Sequence, residues 1–304
     1  MTLADTVLDR DAPEVVEPDA ADPRIRPRTA RAVPGLALLR KPALVLSVVL
    51  LLLMIGWALF PEVFTSHDPY VGVPKDKLQP PSTQYWFGTD HLGRDLYTRT
   101  VYGTGLSMQA TLIAVVVGLF VGSAIGLLSG FVGGRFDDVV MRLVDVLLSI
   151  PGLLLSLAVV SVLGFGTVNV AIAVGVASVA SFARIMRSDV LRTRTRVFVE
   201  AATVSGVKRT SVLLRHVLPH SVGSVLVLAA LEFGTAILAV SALSFLGFGA
   251  PPPAPEWGSL VAEGRNYLAT AWWLTTLPGL VIAATVLATN RISRALDDGK
   301  DRLI

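Results

Sequence analysis

SMQATLIAVVVGLFVGSAIGLLSGFV, residues 107–132, runs for 26 positions without an ionisable side chain. A hydrocarbon layer about 30 Å thick is crossed by roughly 20 apolar residues at 1.5 Å rise each, so this run predicts a membrane-spanning helix. Working outward, five further runs meet the same test: 43–60, 140–163, 168–185, 222–243 and 267–290. Six such runs cannot share one small interior. The chain of 304 residues is 53% apolar and 16% charged, with a mean hydropathy of +0.64, and water is not its main solvent. The reading is an all-α integral membrane protein with six transmembrane helices, located in the cell membrane as a multi-pass chain. Cysteine is absent, which excludes disulfides, thiolate metal sites and cysteine nucleophiles together.

Orientation follows from the cations, because Lys and Arg in short loops are held on the cytoplasmic side. With the N-terminus inside, all of the 26 Lys and Arg except Lys75, Lys77, Arg94, Arg99 and Arg265 fall in cytoplasmic segments, so both termini are expected in the cytoplasm. The basic pI is explained by these helix-end cations, and nucleic acid is not expected as a partner. Residues 1–34 mix Asp, Glu, Pro and Arg without apolar periodicity and predict a disordered cytoplasmic tail. A first transmembrane helix over 35–61, an extracytoplasmic segment over 62–106, a transmembrane domain over 107–295 and a cytoplasmic C-terminal tail over 296–304 complete the expected layout.

Within 62–106, Leu92, Leu96 and Val101 alternate with Asp90, Arg94, Asp95 and Arg99, a pattern that predicts a short amphipathic helix at the membrane surface. Those four charged residues have two readings: an extracytoplasmic contact for a partner protein, or a helix face that satisfies its own charges. The Gly- and Pro-rich stretch 244–265 regains amphipathic character at Trp257 and is read as an ordered outer cap, with Trp257 a further candidate contact. Pro151 lies inside the third run and predicts a kink. Gly118, Gly122, Gly126, Ser129 and Gly130 fall at helical spacing on the second run, as close helix contacts in lipid require.

The longest basic loop contains EAATVSGVKRTSVLLRHVLP, residues 200–219. Small Ala201 and Ala202 let a partner surface approach closely, Gly206 supplies a turn, and Leu213, Leu214 and Val217 give a second short helix an apolar face. Pro219 then opens the fifth span, where its missing N–H costs little. The predicted unit is a helix–turn–helix on the cytoplasmic face, shaped to pass force between a soluble partner and the bundle.

This segment resembles the coupling motif of ATP-binding-cassette importer permeases: Glu-Ala-Ala, three residues, Gly, nine residues, an aliphatic, one residue, Leu-Pro. Glu200, Ala201, Ala202, Gly206, Leu218 and Pro219 fall on that pattern; His216 takes the aliphatic position. GTDHLGRDLYTRTVYGTGLS from Gly88, MRLVDVLLSIPGLLL from Met141 and FLGFGAPPPAPEWGSLVAEGR from Phe245 are similar to the dipeptide, oligopeptide and nickel permease family, most of all to its C-type dipeptide subunits. The resemblance implies a type I importer permease fold and a heteromeric complex. Its implied partners are a second related permease, one or two cassette ATPases that bind ATP and Mg, an extracytoplasmic peptide-binding protein, and membrane lipid. It also implies import of di- or oligopeptides by alternating access, coupled through 200–219. No G-x-x-x-x-G-K-[ST] loop occurs here, so no cofactor and no ATP hydrolysis are expected in this chain.

Glu232 is the notable intramembrane charge. It either lines the translocation pathway, meeting a peptide amino terminus, or packs as a hydrogen-bonded acid against another helix. His67, His91, His216 and His220 are scattered without ligand spacing, so no metal site is expected. The competing readings are the same machinery carrying nickel or another small solute, and an ion-driven secondary transporter. The latter normally shows repeated halves and several intramembrane ionisable groups.

Overall fold

The computed structural model describes residues 42–300, with side chains described up to 295. The expected tail over 1–34, the first residues of the expected first span (35–41) and residues 301–304 lie outside the described residues. Everything described is helix or irregular backbone apart from a single bridge between Thr89 and Asp95. Two ends are distinguished below: a cap end, holding residues 61–95 and 246–272, and a basic end, holding residues 133–138 and 195–217.

Helix α1 (Pro42–Leu59) crosses from the basic end to the cap end. It buries Leu44, Ser47, Met54 and Trp57, with Trp57 edge-on to Tyr97 at 5.7 Å. After a single turn at Pro61–Phe64, the chain builds most of the cap before entering α2 (Leu96–Val132). Asp95 caps α2: its carboxylate accepts from the amides of Tyr97 and Thr98 at 3.2 and 3.3 Å and from the Thr98 hydroxyl at 2.6 Å, satisfying donors that a helix start leaves free. The amphipathic surface helix expected around Leu92 to Val101 is therefore not a separate element. Its second half is the first turns of α2, whose 37 residues reach about 55 Å, well beyond the hydrocarbon thickness.

The third span also differs from expectation. In place of one kinked helix there are two, α3 (Gly134–Ser149) and α4 (Gly152–Leu163), meeting at 97°. The cause is local: Pro151 forbids the α conformation to the residue before it, and Ile150 is extended at φ −89°, ψ 128°. Among the described residues, five helices are continuous and apolar enough to cross a membrane, and the bent pair makes the sixth span if it counts as one.

Helix α5 (Thr167–Arg194) is the centre of the bundle. The glycine stripe of α2 lies against it: a Cβ built on Gly118 would stand 2.9 Å from Ser178 Cβ, one on Gly122 2.5 Å from the Val179 carbonyl oxygen, and one on Gly126 would run into the Ala183 backbone. Lipid offers no hydrophobic drive between helices, so close backbone approach of this kind supplies the packing attraction. Beyond α6 (Val197–Val204), helix α7 runs unbroken over Arg209–Phe245. The second short helix expected around Leu213 is thus the beginning of the fifth span. A π turn at Leu213–Val217 precedes Pro219, whose missing N–H leaves the Arg215 carbonyl without its usual donor. Helix α8 (Trp257–Gly264) closes the cap as expected of that stretch, and α9 (Trp273–Lys300) extends as helix into the segment expected as the C-terminal tail.

Candidate functional site

At the basic end, α6 ends in a glycine-dependent turn. The Ser205 amide bonds the Ala201 carbonyl at 2.9 Å, Gly206 bonds Thr203 at 3.1 Å and Val207 bonds Ala202 at 3.2 Å. The last two bonds are the 5→2 and 6→1 pair of a Schellman motif, with Gly206 in the left-handed region at φ +78°. Glycine is required here by backbone conformation and not by crowding, since a Cβ on Gly206 would meet nothing within 4 Å.

The turn anchors itself inward through Val199, Val212 and Val217, which join Phe182, Met186, Val190 and Val225 in one buried cluster. Outward, Val197, Ala201 and Val204 share a helix face by their i, i+4, i+7 spacing. Val197 and Val204 are 80% and 89% exposed, and Glu200 beside them is exposed too. The structure therefore brings Glu200, Ala201 and Gly206 together on one surface, with Ala202 half-buried beneath it and Leu218 and Pro219 in the following helix. Behind it, Arg187 clamps the buried Asp137, its Nε donating to Oδ1 and its Nη2 to Oδ2, each at 2.6 Å, fixing the start of α3 to the end of α5.

Midway along the bundle lies a cavity of about 230 Å³ between α4, α5 and α7. Its lining includes Gly152, Ser156, Ser178, Ser181, Glu232 and Thr235. Glu232 is half-buried and accepts one side-chain hydrogen bond, from the Thr235 hydroxyl at 2.8 Å. The 97° break at Pro151 is what brings the start of α4 to this space.

At the cap end, the charged residues of the 90–99 segment turn inward. Asp90, Arg94, Asp95 and Arg99 are 2%, 4%, 7% and 0% exposed. Arg94 Nε donates to Asp90 Oδ2 at 2.6 Å, Arg99 Nη1 donates to the same oxygen at 2.9 Å, and Arg99 Nη1 also reaches Glu263 Oε2 at 2.6 Å. Burial pushes the Asp90 carboxyl up. The Arg94 amide and guanidinium and the Leu92 amide outweigh it and hold the group below its ordinary value. Of the two readings of these residues, the geometry is that of a self-satisfied internal network, and as side chains they offer a docking partner almost no surface. Trp257 is likewise wholly buried, its indole N–H bonding the Thr100 carbonyl at 3.2 Å and its amide the Ser107 hydroxyl at 3.1 Å. Asp90, His91 and Glu263 approach one another closely enough to share an ion, but both carboxylates already hold two guanidiniums, and a metal cation would face that positive charge directly.

Sequence reasoning missed Glu263, which ties α8 to the start of α2, and Glu256, a fully buried acid that accepts from the Ser244 hydroxyl at 2.7 Å and the Ala250 amide at 2.8 Å. Their partners lie elsewhere in the chain or in an irregular loop. The one available signal was that two acids punctuate an otherwise apolar stretch.

Residues 122–302 match the family described as "Binding-protein-dependent transport system inner membrane component". The chain is 40% identical over 80% of its length to the dipeptide transport system permease protein DppC of Alkalihalophilus pseudofirmus, covering 80% of that protein. It is 38% identical to the glutathione transport system permease protein GsiD of Pectobacterium atrosepticum, over 86% of this chain and 88% of that one. A probable D,D-dipeptide transport system permease protein, DdpC of Escherichia coli, is 37% identical over 84% and 86% of the two chains. Among solved structures, an amino acid ABC transporter superposes with a TM-score of 0.52 at 16% identity, over 65% of this chain and 92% of that one; it shares the fold.

Proposed function

The chain belongs to the family of binding-protein-dependent transport system inner membrane components, a multi-pass permease subunit of the cytoplasmic membrane, and we propose that it is one half of the translocation path of an ATP-driven importer of short peptides. The cargo assignment is supported by the names of relatives at 37–40% identity, which transport dipeptides, D,D-dipeptides and glutathione. The basic end faces the cytoplasm, in keeping with its cations.

The observation that carries the reading is the Gly206 turn. It holds α6 across the basic end with an exposed apolar face, on a spacing of Glu200, Ala201, Ala202, Gly206, Leu218 and Pro219 that matches a coupling motif. An ATPase subunit seated on α6 covers Val197 and Val204, and its movement on binding ATP is passed into α7. A second, related permease completes the path lined by Glu232, and a peptide-binding protein docks over the cap. The bundle then alternates between inward- and outward-open forms, and the chain itself hydrolyses nothing.

Purification of this chain from native membranes in mild detergent tests the assignment. A second permease and a cassette ATPase should co-purify in stoichiometric amounts, with ATP hydrolysis stimulated by a peptide-loaded binding protein. Recovery of a homo-oligomer without ATPase activity would sink it.

A further inference from the structure

The polar part of the cavity between α4, α5 and α7 offers more acceptors than free side-chain donors, set in a wall completed by Leu153, Val174, Ala177, Ala236 and Ala239. Ser156 donates its one hydroxyl hydrogen to the Gly152 carbonyl at 2.8 Å, Ser178 donates to the Val174 carbonyl at 3.2 Å, and Thr235 donates to Glu232 at 2.8 Å, which leaves the Ser181 hydroxyl as the one side-chain donor among the lining residues without an internal acceptor. A hydroxyl whose hydrogen is committed in this way offers only lone pairs to a ligand. Glu232 adds a carboxylate, and among the described residues no Lys, Arg or His makes an ion pair with it. At about 230 Å³ the space is far larger than the ~10–15 Å³ that admits one water. The site is large enough to admit water, and its carboxylate is uncompensated.

A group that fits such a lining carries several hydrogens to donate and one positive charge, which describes a primary ammonium with its three N–H donors. A guanidinium is planar and matches bidentate carboxylate geometry better than a ring of separate hydroxyls. The amino end of α4 at Gly152 opposes a cation with about half an elementary charge at most, and the full charge of a carboxylate exceeds it.

Resting on the importer reading above, we propose that Glu232 with Ser156, Ser178 and Thr235 forms a subsite for a primary ammonium of the cargo in transit. The group is either the amino terminus of a peptide or a lysine side chain. The subsite lets the permease itself discriminate between charged and blocked cargo, after the binding protein has made its own selection.

The experiment uses the full complex in proteoliposomes with its binding protein at saturation. Uptake of alanyl-alanine, N-acetyl-alanyl-lysine and N-acetyl-alanyl-alanine is compared for wild type and Glu232→Gln, with Glu232→Asp as the conservative variant. The same binding protein serves every permease, so its selectivity cancels in the wild-type-to-variant ratio for each cargo. The loss in Glu232→Gln should be about tenfold greater for cargo bearing an ammonium than for the doubly blocked peptide, the size expected of one charged hydrogen bond, with partial recovery in Glu232→Asp. A loss confined to alanyl-alanine assigns the amino terminus as the ligand; a loss that extends to N-acetyl-alanyl-lysine assigns either ammonium. Equal ratios for all three cargoes overturn the subsite.

A second measurement is independent of what the binding protein accepts. Labelling of Glu232 by a hydrophobic carbodiimide in the purified complex, read by mass spectrometry, should be slowed by alanyl-alanine and not by its N-acetyl form. N-acetyl-alanyl-lysine is the third probe, and equal labelling with all three peptides overturns the proposal. Absence of ATP-driven uptake in wild type removes the importer reading instead, while the labelling contrast still reports on the cavity.

Discussion

Replacing Gly206 separates two explanations of why a glycine stands in the turn proposed to couple the chain to an ATPase. At φ +78° the residue occupies the left-handed region, where an L side chain costs about 1–2 kcal/mol. The turn itself is closed by three backbone hydrogen bonds, from Ser205, Gly206 and Val207. At about 0.5–1.5 kcal/mol net each, they contribute roughly 1.5–4.5 kcal/mol. Gly206→Ala therefore removes a large share of what holds the turn shut, reducing its population relative to opened forms by about 5- to 30-fold. Because a Cβ at this position meets nothing within 4 Å, that loss comes from the backbone alone.

Gly206→Asn is the discriminating partner. Asn is bulkier than Ala but tolerates the left-handed region better than other non-glycine residues. If backbone conformation governs, the Ala variant should couple worse than the Asn variant, read as peptide taken up per ATP hydrolysed in proteoliposomes. If a docked ATPase subunit crowds the turn, the order reverses. Unchanged coupling in both variants would refute the role given to this turn, and the Asn variant coupling worse than Ala would refute the backbone argument while leaving the docking surface standing.

Asp90→Asn should be the most destabilising single change at the cap. It leaves Arg94 and Arg99, 4% and 0% exposed, with one carboxylate between them, and breaking a buried pair in this way costs about 3–5 kcal/mol; the apparent Tm of the purified complex reports it. Since the Asp90 carboxyl sits below its ordinary value in the fold, its stabilising contribution is complete above the unfolded value and is lost as pH falls through the folded one. Acidification below about pH 4 should thus lower the Tm of wild type more steeply than that of Asp90→Asn, and parallel acid limbs would contradict the assignment. On the bundle itself, Gly126→Leu should leave membrane insertion intact but separate α2 from α5, seen as loss of the complex in mild detergent. Gly279→Ala, where a Cβ meets nothing, should be neutral or stabilising by up to about 1 kcal/mol.

The spans were legible because the bilayer imposes a length, and 107–132 or 222–243 can satisfy it in only one way. The glycine stripe was legible for a similar reason: its helical spacing has few other uses in lipid, and Gly122 and Gly126 do touch the α5 backbone. The start of α2 was misread because Asp90, Arg94, Asp95 and Arg99 look like a solvated face when their partner is out of view. That partner is Glu263, 164 residues beyond Arg99, and no local pattern announces a pair so distant in sequence. A cap signal was present in Asp95, an N-cap residue type directly before the apolar Leu96, and weighting it above the charge pattern would have placed the helix start correctly. Pro151 announced a disturbance but not its size. The 97° break depends on Ile150 turning extended and on α4 finding α5 to pack against, and only the second of these lies beyond local sequence.

On the function proposed above, α7 is the element that would carry a movement at the basic end to the cavity. From Arg209 to Glu232 is 23 residues of unbroken helix, about 35 Å at 1.5 Å each, with no loop to absorb a displacement. The π turn at Leu213–Val217 is its one irregular step, next to Pro219, where a hydrogen bond is already missing and rotation costs least. Val212 just before that step and Val217 at its end are packed into the same buried cluster as Val199 of α6. On that proposal, a push on the exposed face of α6 would load the π turn first, with the part carrying Glu232 moving as a rod. Contiguity of this kind does not make a switch by itself, because coupling requires an element with two arrangements. The π turn, followed by Pro219 with its missing N–H, is the irregular step in α7, and on the proposed function a register change there would rotate Glu232 relative to α4 and α5, altering the cavity without unpacking the glycine contacts that hold α2 to α5.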